Sequence, residues 1–295
     1  MPQPSVLVTF IRHGESTDNL RSVWAGWQDA PLSNHGMNQA LAVGKFFADT
    51  RFDAIYASTL KRAYSTAQAV YDGQTDPKPP FTSSPLLREQ HFGQGEGHKW
   101  TYQREESLTL EEHYARGIYP VLFEDDEKFP GGESPNDLDI RANQAIEELV
   151  LPHVWDAAKT GKKGLHIAVV SHGLCISRLI AQLLKKGTGP LSKADYRGLQ
   201  NTAWTRVAVD VKESQEGEPV EFSNDTRPPL AIAVTDINQH SHIDRIKRQK
   251  GGIGSAAYDP AQKDIRDFFG GKTEALAVSE SNAHDEVEEP QASNL

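Results

Sequence analysis

The sequence predicts an α/β fold in which helices cover a mostly parallel β-sheet. Short apolar and β-branched runs, such as 6–11 and 165–170, lack the alternation of a half-exposed strand and so fit strands buried on both faces. Segments with apolar residues at helical spacing follow these runs, and such alternation is typical of α/β layers. The length of 295 residues allows one large domain or two small ones.

The first half of the chain predicts two strand–helix units. After strand 6–11 comes a polar loop, and Ser33 can then cap a helix with apolar residues at helical spacing. Residues 52–57 predict a second buried strand, and 60–70 predict the helix that follows it. Residues 72–85 are rich in Pro, Asp, Thr and Ser, which predicts a loop.

The second half predicts an insertion followed by the remaining elements. Residues 92–132 have no sustained apolar period, and we expect them to form a loop insertion over the site. A helical run begins at Ser134 and reaches Leu149, and strand 165–170 is followed by another helix. Residues 205–211 and 230–234 predict the last two strands, at least one of them antiparallel at an edge.

The C-terminal part has a different composition. We expect a catalytic domain over residues 1–236 and an extension with a basic patch and an amphipathic segment over 237–273. Residues 274–295 contain six acidic residues and no Lys or Arg. This last segment is predicted to be disordered.

Charge and cysteine content narrow the classes of function. A net charge of -10 disfavours non-specific binding to nucleic acid or to an anionic membrane. The single cysteine, Cys175, excludes an internal disulfide and suits a reducing compartment, where we expect it to pack in the core. The sequence shows no apolar run of about 18 residues and no secretion signal. We therefore expect a cytoplasmic or nuclear protein that carries no metal.

The chemistry begins where the first strand ends. Arg12 and His13 come directly after strand 6–11 and before Gly14, and open α/β sheets bind ligands outside the carboxyl ends of their strands. A neutral imidazole is a good nucleophile, and nearby arginines lower its pKa while binding an anionic substrate. On its own, this pair of residues fits a structural role better than a catalytic one.

Three later residues have matching chemistry. Arg62 lies at a predicted helix start after the second strand, where backbone N–H groups also favour an anion. Glu89 can donate a proton to a leaving alkoxide, and His172, at a third strand end, can donate to a phosphoryl oxygen. The sequence thus predicts that three strand ends converge on phosphoryl transfer.

Taken together, these stretches resemble the histidine phosphatase superfamily in its phosphoglycerate mutase-like branch. The motifs are Arg12-His13-Gly14-Glu15-Ser16 with Asn19 and Gly26, Arg62-Ala63, Glu89 before Phe92-Gly93, Pro130-Gly131-Gly132-Glu133-Ser134, and Ser171-His172-Gly173. The resemblance covers most of residues 6–234. It implies a three-layer α/β/α sandwich and a reaction that needs neither a metal nor an organic cofactor.

The resemblance also implies a role for each site residue. In the family the first histidine becomes phosphorylated, two arginines and the second histidine hold the phosphoryl oxygens, and an acidic residue protonates the leaving group. These roles fall on His13, Arg12, Arg62, His172 and Glu89, and substrate contacts are implied for Asn19, Ser16, Gly26 and Gly173. Asn201-Thr202 resembles a later loop motif near the site.

The acceptor of the phosphoryl group is predicted to be water. Family mutases carry an adjacent arginine pair after the Glu motif, whereas this chain has Lys99, Arg104 and Arg116 singly. Phe92 stands where mutases carry Tyr, and Ala25 where they carry a hydroxyl residue. The pattern is closer to fructose-bisphosphatase-like and broad-specificity members. It predicts a phosphomonoesterase for a small phosphorylated metabolite, with a sugar bisphosphate as one candidate. A mutase and a non-catalytic phosphate-binding or scaffold protein are the alternatives.

The extension contains a short peptide motif. Gln262, Ile265, Phe268 and Phe269 match the pattern of a sliding-clamp-binding peptide, in which one helical turn presents an apolar plug. Docking of the same plug on the catalytic domain of this chain is the alternative hypothesis, and the one we favour.

Overall fold

The computed structural model describes residues 3–101, 103–189, 196–212, 217–223 and 225–261. A compact unit comprises residues 1–258, and a second unit comprises residues 259–295. The predicted acidic tail and the sliding-clamp motif lie outside the described residues and stay predictions. Within the described part of the chain, no helix is both long and apolar enough to cross a membrane.

A six-stranded sheet forms the centre of the compact unit. Its strands are β1 (Val6–Arg12), β2 (Ala54–Ser58), β3 (Phe81–Ser84), β6 (Leu165–Ser171), β7 (Trp204–Val211) and β8 (Leu230–Gln239), and a separate parallel pair consists of β4 (Trp100–Thr101) and β5 (Tyr119–Pro120). The order in the sheet is β3-β2-β6-β1-β7-β8. β1, β2, β3 and β6 run parallel, so their carboxyl ends lie at one edge.

Helices cover both faces of this sheet. They are α1 (Asn34–Phe46), α2 (Lys61–Asp72), α3 (Leu110–Ala115), α4 (Pro135–Ala145), α5 (Leu151–Thr160) and α6 (Gly173–Lys185). One core cluster joins α4, α5 and α6 to alternate residues of β1, and the other joins α1 and α2 to the opposite face. The predicted three-layer α/β/α sandwich is therefore confirmed.

Two details of the prediction need correction, whereas the expected antiparallel edge is present. β8 lies at the edge of the sheet and pairs antiparallel with β7. Residues 72–85 are not all loop, since Phe81–Ser84 forms β3, a four-residue edge strand too short and too polar to be recognised. The helix from Ser134 does not continue unchanged, because a π-helical turn at Ile146–Val150 precedes α5. Pro152 lacks the N–H that a regular helix needs there.

The insertion 92–132 has a small core of its own. Phe92, Tyr119 and Phe129 are buried against one another, and Trp24 packs on Phe92 with ring centroids 4.6 Å apart. The indole of Trp24 also donates to the Tyr119 carbonyl at 2.9 Å. The insertion is thereby attached to the loop that follows β1.

The compact unit extends past the domain end that we expected at 236. β8 continues to Gln239, and the chain then returns to the start of α1. There Asn34 N donates to the Ala256 carbonyl at 2.9 Å, and Tyr258 N donates to the Leu32 carbonyl at 2.8 Å. Part of the segment that we expected to be a separate extension is thus integral to this unit.

Candidate active site

The carboxyl end of β1 leads into a tightly held loop, which we call the histidine loop (residues 12–16). Each of its five backbone N–H groups donates to a different partner: Arg12 to Ala203 O, His13 to Ser171 O, Gly14 to Thr66 Oγ1, Glu15 to Gln39 Oε1 and Ser16 to Asn19 Oδ1. Because the partners come from several elements, packing of the whole unit fixes the backbone of the loop.

His13 is buried at the centre of this loop. Its Nδ1 lies 2.6 Å from the Gly14 carbonyl oxygen. A carbonyl only accepts, so Nδ1 carries the proton and Nε2 of the neutral ring keeps its lone pair. Burial and then the charges of Arg62 and Arg12 hold the pKa of His13 well below its ordinary value. The imidazole is therefore a neutral base or nucleophile near pH 7.

Two buried arginines provide positive charge beside His13. Arg62, at the start of α2, is 1% exposed, and it donates to the carbonyls of Gln28 at 2.7 Å and Gly26 at 2.8 Å. The Nη1 of Arg12 donates to the Leu199 carbonyl. Carbonyl partners orient a guanidinium but do not neutralise it. Both charges therefore remain available to an anionic ligand.

His172 lies at the end of β6, directly before α6. It is fully buried, its Nε2 is 2.8 Å from Ser58 Oγ, and its ring centroid is 5.0 Å from that of His13. Burial, followed by the charge of Arg62, lowers the pKa of His172 well below its ordinary value. The second histidine is thus a neutral neighbour of the first.

Glu89 is held at the amino end of α6. Its Oε1 accepts from the backbone N–H groups of Cys175 and Gln90, each at 3.0 Å, and its Oε2 accepts from Leu174 N at 3.2 Å. Backbone donors and the helix dipole stabilise a carboxylate in this position. Oε1 accepts two of these bonds and Oε2 accepts one, so backbone donors fix the position of the carboxyl group beside the cavity.

An ion pair missed by the sequence analysis supports the turn that carries Glu89. Arg141 of α4 makes a bidentate contact with Glu133, with distances of 2.8 and 2.7 Å. The same guanidinium donates to the carbonyls of Leu86, Arg88 and Glu89 at 2.8–3.0 Å. The Gly-Gly-Glu-Ser motif drew attention to Glu133 in the sequence. It did not indicate that Arg141 is the partner of Glu133.

These residues surround a cavity of about 200 Å³. It is lined by Arg12, His13, Asn19, Val23, Trp24, Ala25, Gly26, Arg62, Glu89, Phe92, Trp100 and Leu174. The charged groups come from the strand ends and from the turn at Glu89. The aromatic wall comes from the loop after β1 and from the insertion. The cavity thus has a cationic end and an apolar side.

The predicted site residues divide into two groups. Arg12, His13, Arg62, Glu89, Asn19 and Gly26 line the cavity, whereas His172, Ser16 and Gly173 do not. Ser16 is fully buried, and its hydroxyl donates to Asn19 Oδ1 at 3.1 Å. The substrate contact expected for Ser16 stays a prediction, and the structure shows that Ser16 supports Asn19, since its bond to Oδ1 leaves Nδ2 on the opposite side of the amide. Gly173 lies beside Arg12, with space for a Cβ 3.8 Å from Nε.

Comparison with known proteins agrees with this arrangement. The family model of the histidine phosphatase superfamily (branch 1) matches residues 8–218. The chain belongs to this superfamily. The prediction of a histidine phosphatase enzyme is thereby confirmed at the level of the family. β8 and the segment that returns to α1 lie beyond the matched residues.

Individual relatives of this histidine phosphatase have different named activities. A 2,3-bisphosphoglycerate-dependent phosphoglycerate mutase from Lactococcus lactis subsp. cremoris is 30% identical over 60% of this chain and 82% of its own length. A second such mutase, from Gloeobacter violaceus, is 27% identical over 60% of this chain and 75% of its length. The structure of a mycobacterial glucosyl-3-phosphoglycerate phosphatase is similar with a TM-score of 0.55 at 23% identity, covering 78% of this chain and 99% of that one.

The first testable prediction concerns the protonation of His13. Because burial and two arginines hold its pKa well below 6.5, its ring should remain neutral as the pH falls from 8 through 6.5. We expect its NMR resonances, assigned with His13→Gln, to be unchanged over that range. In Arg62→Met the ring should titrate at a higher pH than in the wild type, since one of the lowering charges is removed. A wild-type His13 that titrates near 6.5 would contradict the electrostatic account.

Proposed function

We propose that this histidine phosphatase hydrolyses a small phosphate monoester through a phosphohistidine on His13. Two buried nitrogens carry the proposal, because Arg12 Nε and His172 Nδ1 make no hydrogen bond to any described residue. With the Ser58 hydroxyl assigned as the donor to His172 Nε2, the proton of the neutral ring lies on Nδ1. Buried donors are ordinarily bonded. A phosphoryl group next to His13 Nε2 would provide the acceptor oxygens for both.

The first half of the reaction transfers the phosphoryl group to the enzyme. His13 Nε2 forms a bond to phosphorus while the bond between phosphorus and the ester oxygen breaks. Glu89 gives its proton to the leaving oxygen. Arg12, Arg62 and His172 stabilise the negative charge of the transferring oxygens, each such donor contributing on the order of 100-fold to 1,000-fold in rate.

The second half regenerates the enzyme. After the product leaves, a water molecule occupies the place of the leaving oxygen, next to the Glu89 carboxylate. Glu89 takes a proton from this water while a new bond to phosphorus forms and the Nε2–phosphorus bond breaks. The products are inorganic phosphate, the neutral imidazole and the protonated carboxyl, ready for the next substrate.

The surroundings of the cavity support water as the acceptor. Among the described residues that line it, the cations are Arg12 and Arg62. The insertion arginines are engaged elsewhere, Arg104 with Glu127 at 2.7 Å and Arg116 with Glu105 at 3.6 Å. A mutase has to grip a second anionic group during turnover, and these arginines are paired with carboxylates.

The dimensions of the cavity favour a small substrate with one phosphate inside. A volume of about 200 Å³ holds a phosphoryl group and a compact leaving group beside Trp24 and Phe92. The second phosphate of a sugar bisphosphate would meet no further cation on the described wall. We therefore favour a monophosphate ester over the bisphosphate that the sequence suggested.

The proposal is tested first through the nucleophile. His13→Ala should reduce turnover of p-nitrophenyl phosphate to about a ten-thousandth of the wild-type value or less, the scale expected for loss of a covalent nucleophile. Rapid acid-free quenching of the wild type with substrate should trap a phosphohistidine at His13. His98→Ala, which alters an exposed histidine outside the cavity, should leave turnover unchanged. A folded His13→Ala protein with higher residual turnover would exclude the mechanism, and the lack of a trapped adduct would favour a non-catalytic phosphate-binding protein.

A second prediction concerns the proton donor. Glu89→Gln should lower kcat/KM for alkyl phosphates by about 100-fold to 10,000-fold but affect p-nitrophenyl phosphate much less, because p-nitrophenolate leaves without a proton. The ratio kcat/KM reports the first phosphoryl transfer, so the later role of Glu89 does not obscure the comparison. Glu105→Gln, at an exposed position, is the control. Equal losses with both substrates would argue against acid catalysis by Glu89.

The names of the curated relatives make a mutase the second candidate. Incubation with 3-phosphoglycerate and a trace of 2,3-bisphosphoglycerate, followed by ³¹P NMR, distinguishes the two activities. A phosphatase releases inorganic phosphate without forming 2-phosphoglycerate, and that is the result we expect. If the isomer forms faster than free phosphate, the chain is a mutase.

A further inference from the structure

We infer that residues 240–258, which we call the C-terminal strap, position the histidine loop through a contact between Arg248 and Glu15. Arg248 is then a positioning residue for the reaction proposed above, on which this inference rests. The strap follows β8 and lies beyond residues 8–218, the part matched by the family model.

The contact is a bidentate ion pair between distant parts of the chain. Arg248 Nη1 donates to Glu15 Oε1 at 2.8 Å, and Nη2 donates to Oε2. The two residues are separated by 233 positions in the sequence. Two parallel hydrogen bonds fix the relative orientation of the two planar groups as well as their distance. The strap therefore restrains both the position and the orientation of the Glu15 carboxylate.

Glu15 is a sensitive point of the histidine loop because it lies two residues after His13. Its carboxylate is 12% exposed and also accepts from Ser33 Oγ at 2.7 Å. Burial alone would raise the pKa of this carboxyl, but hydrogen bonds from Arg248 and Ser33 bring it below the ordinary value. Without Arg248 the carboxylate would lose its charged partner and keep Ser33 as a donor, so the restraint that the ion pair places on the loop would be lost.

The strap also supports the opposite side of His13. The carbonyl of His13 accepts from Thr202 N at 3.2 Å, and Thr202 Oγ1 lies 3.0 Å from His242 Nε2 in the strap. Thr202 has a φ of 59°, in the left-handed region that β-branched residues disfavour, so its conformation depends on such contacts. The strap thus contacts the histidine loop at Glu15 and the segment at Thr202 that donates to the His13 carbonyl.

The strap has a fixed position relative to the histidine loop because it is itself hydrogen-bonded to the start of α1. The side chain of Asn34 donates to the Ile253 carbonyl at 2.8 Å, and its backbone N–H donates to Ala256. Ser33, which caps α1 through Gly36 N, is the residue that shares Glu15 with Arg248. Hydrogen bonds therefore join the strap, the start of α1 and the histidine loop to one another, and Arg248 joins the strap to the loop.

The inference is tested in the full chain with Arg248→Met. Hydrogen–deuterium exchange of peptides covering residues 13–17 should be at least about fivefold faster than in the wild type, because local opening controls exchange. Turnover of p-nitrophenyl phosphate should fall roughly 10-fold in kcat with KM changed less than about twofold, since misplacement of the nucleophile affects the chemical step most. Arg248→Lys should restore kcat only in part, because an ammonium keeps the charge pair with Glu15 but cannot make both parallel hydrogen bonds. Arg245→Met, an exposed neighbour in the same strap, is the matched control and should behave as wild type.

A double-mutant cycle with Glu15→Gln isolates the contact. If Arg248 acts through Glu15, then Arg248→Met should cause no further loss of kcat once Glu15 is Gln. An undiminished loss in that background, or unchanged exchange and kcat in Arg248→Met, would overturn the inference. The two proposals fail separately: a wild type without His13-dependent turnover would refute the phosphatase proposal. The exchange comparison between Arg248→Met and Arg245→Met would still decide whether the strap holds the loop.

Discussion

The hydrogen bond from His13 Nδ1 to the Gly14 carbonyl is the interaction on which the rest of the site depends. This bond places the ring proton on Nδ1. The lone pair of Nε2 is therefore free to act as the nucleophile. The bond in turn requires a close approach of α1. A Cβ on Gly14 would lie 2.4 Å from the carbonyl oxygen of Gly36. A Cβ on Gly36 would lie 1.9 Å from the backbone carbonyl oxygen of Glu15. These two glycines therefore allow the start of α1 to pack closely against the histidine loop, in the conformation that orients the imidazole.

Positive charge is available at this site because of the partners the protein gives each arginine. Arg62 is held by carbonyls, which orient it without neutralising it, whereas Arg104 and Arg141 are each paired with a glutamate. The negative charge of Glu89 is supported by backbone N–H groups of α6 rather than by a dedicated cation. An incoming phosphate thus meets two uncompensated guanidinium groups, and His13 stays neutral beside them.

The sequence predicted those features whose causes are local. The buried strands that lead to Arg12 and His172 are recognisable by their composition, and the edge they share follows from parallel topology. β3 was missed because it has only four residues, three of them polar, and it forms a strand by pairing with β2. The pair of Arg141 with Glu133, and that of Arg248 with Glu15, were missed because no local pattern links residues that meet only after folding. The contact of Ser16 with Asn19 was missed for a similar reason, since it depends on the path of the loop.

The supports of the histidine loop act on two different degrees of freedom. Partners such as Gln39, Thr66 and Ser171 bond its backbone, and all of them lie within residues 8–218 matched by the family model. They fix the dihedral angles of the loop and thereby the location of His13. Arg248, from outside that range, bonds a side chain and compensates a charge. Loss of a backbone partner would displace the loop directly. Loss of Arg248 would leave the backbone hydrogen bonds in place, but hydration of the Glu15 carboxylate would then compete with them. The strap is therefore expected to affect how firmly the loop is held more than whether the fold forms.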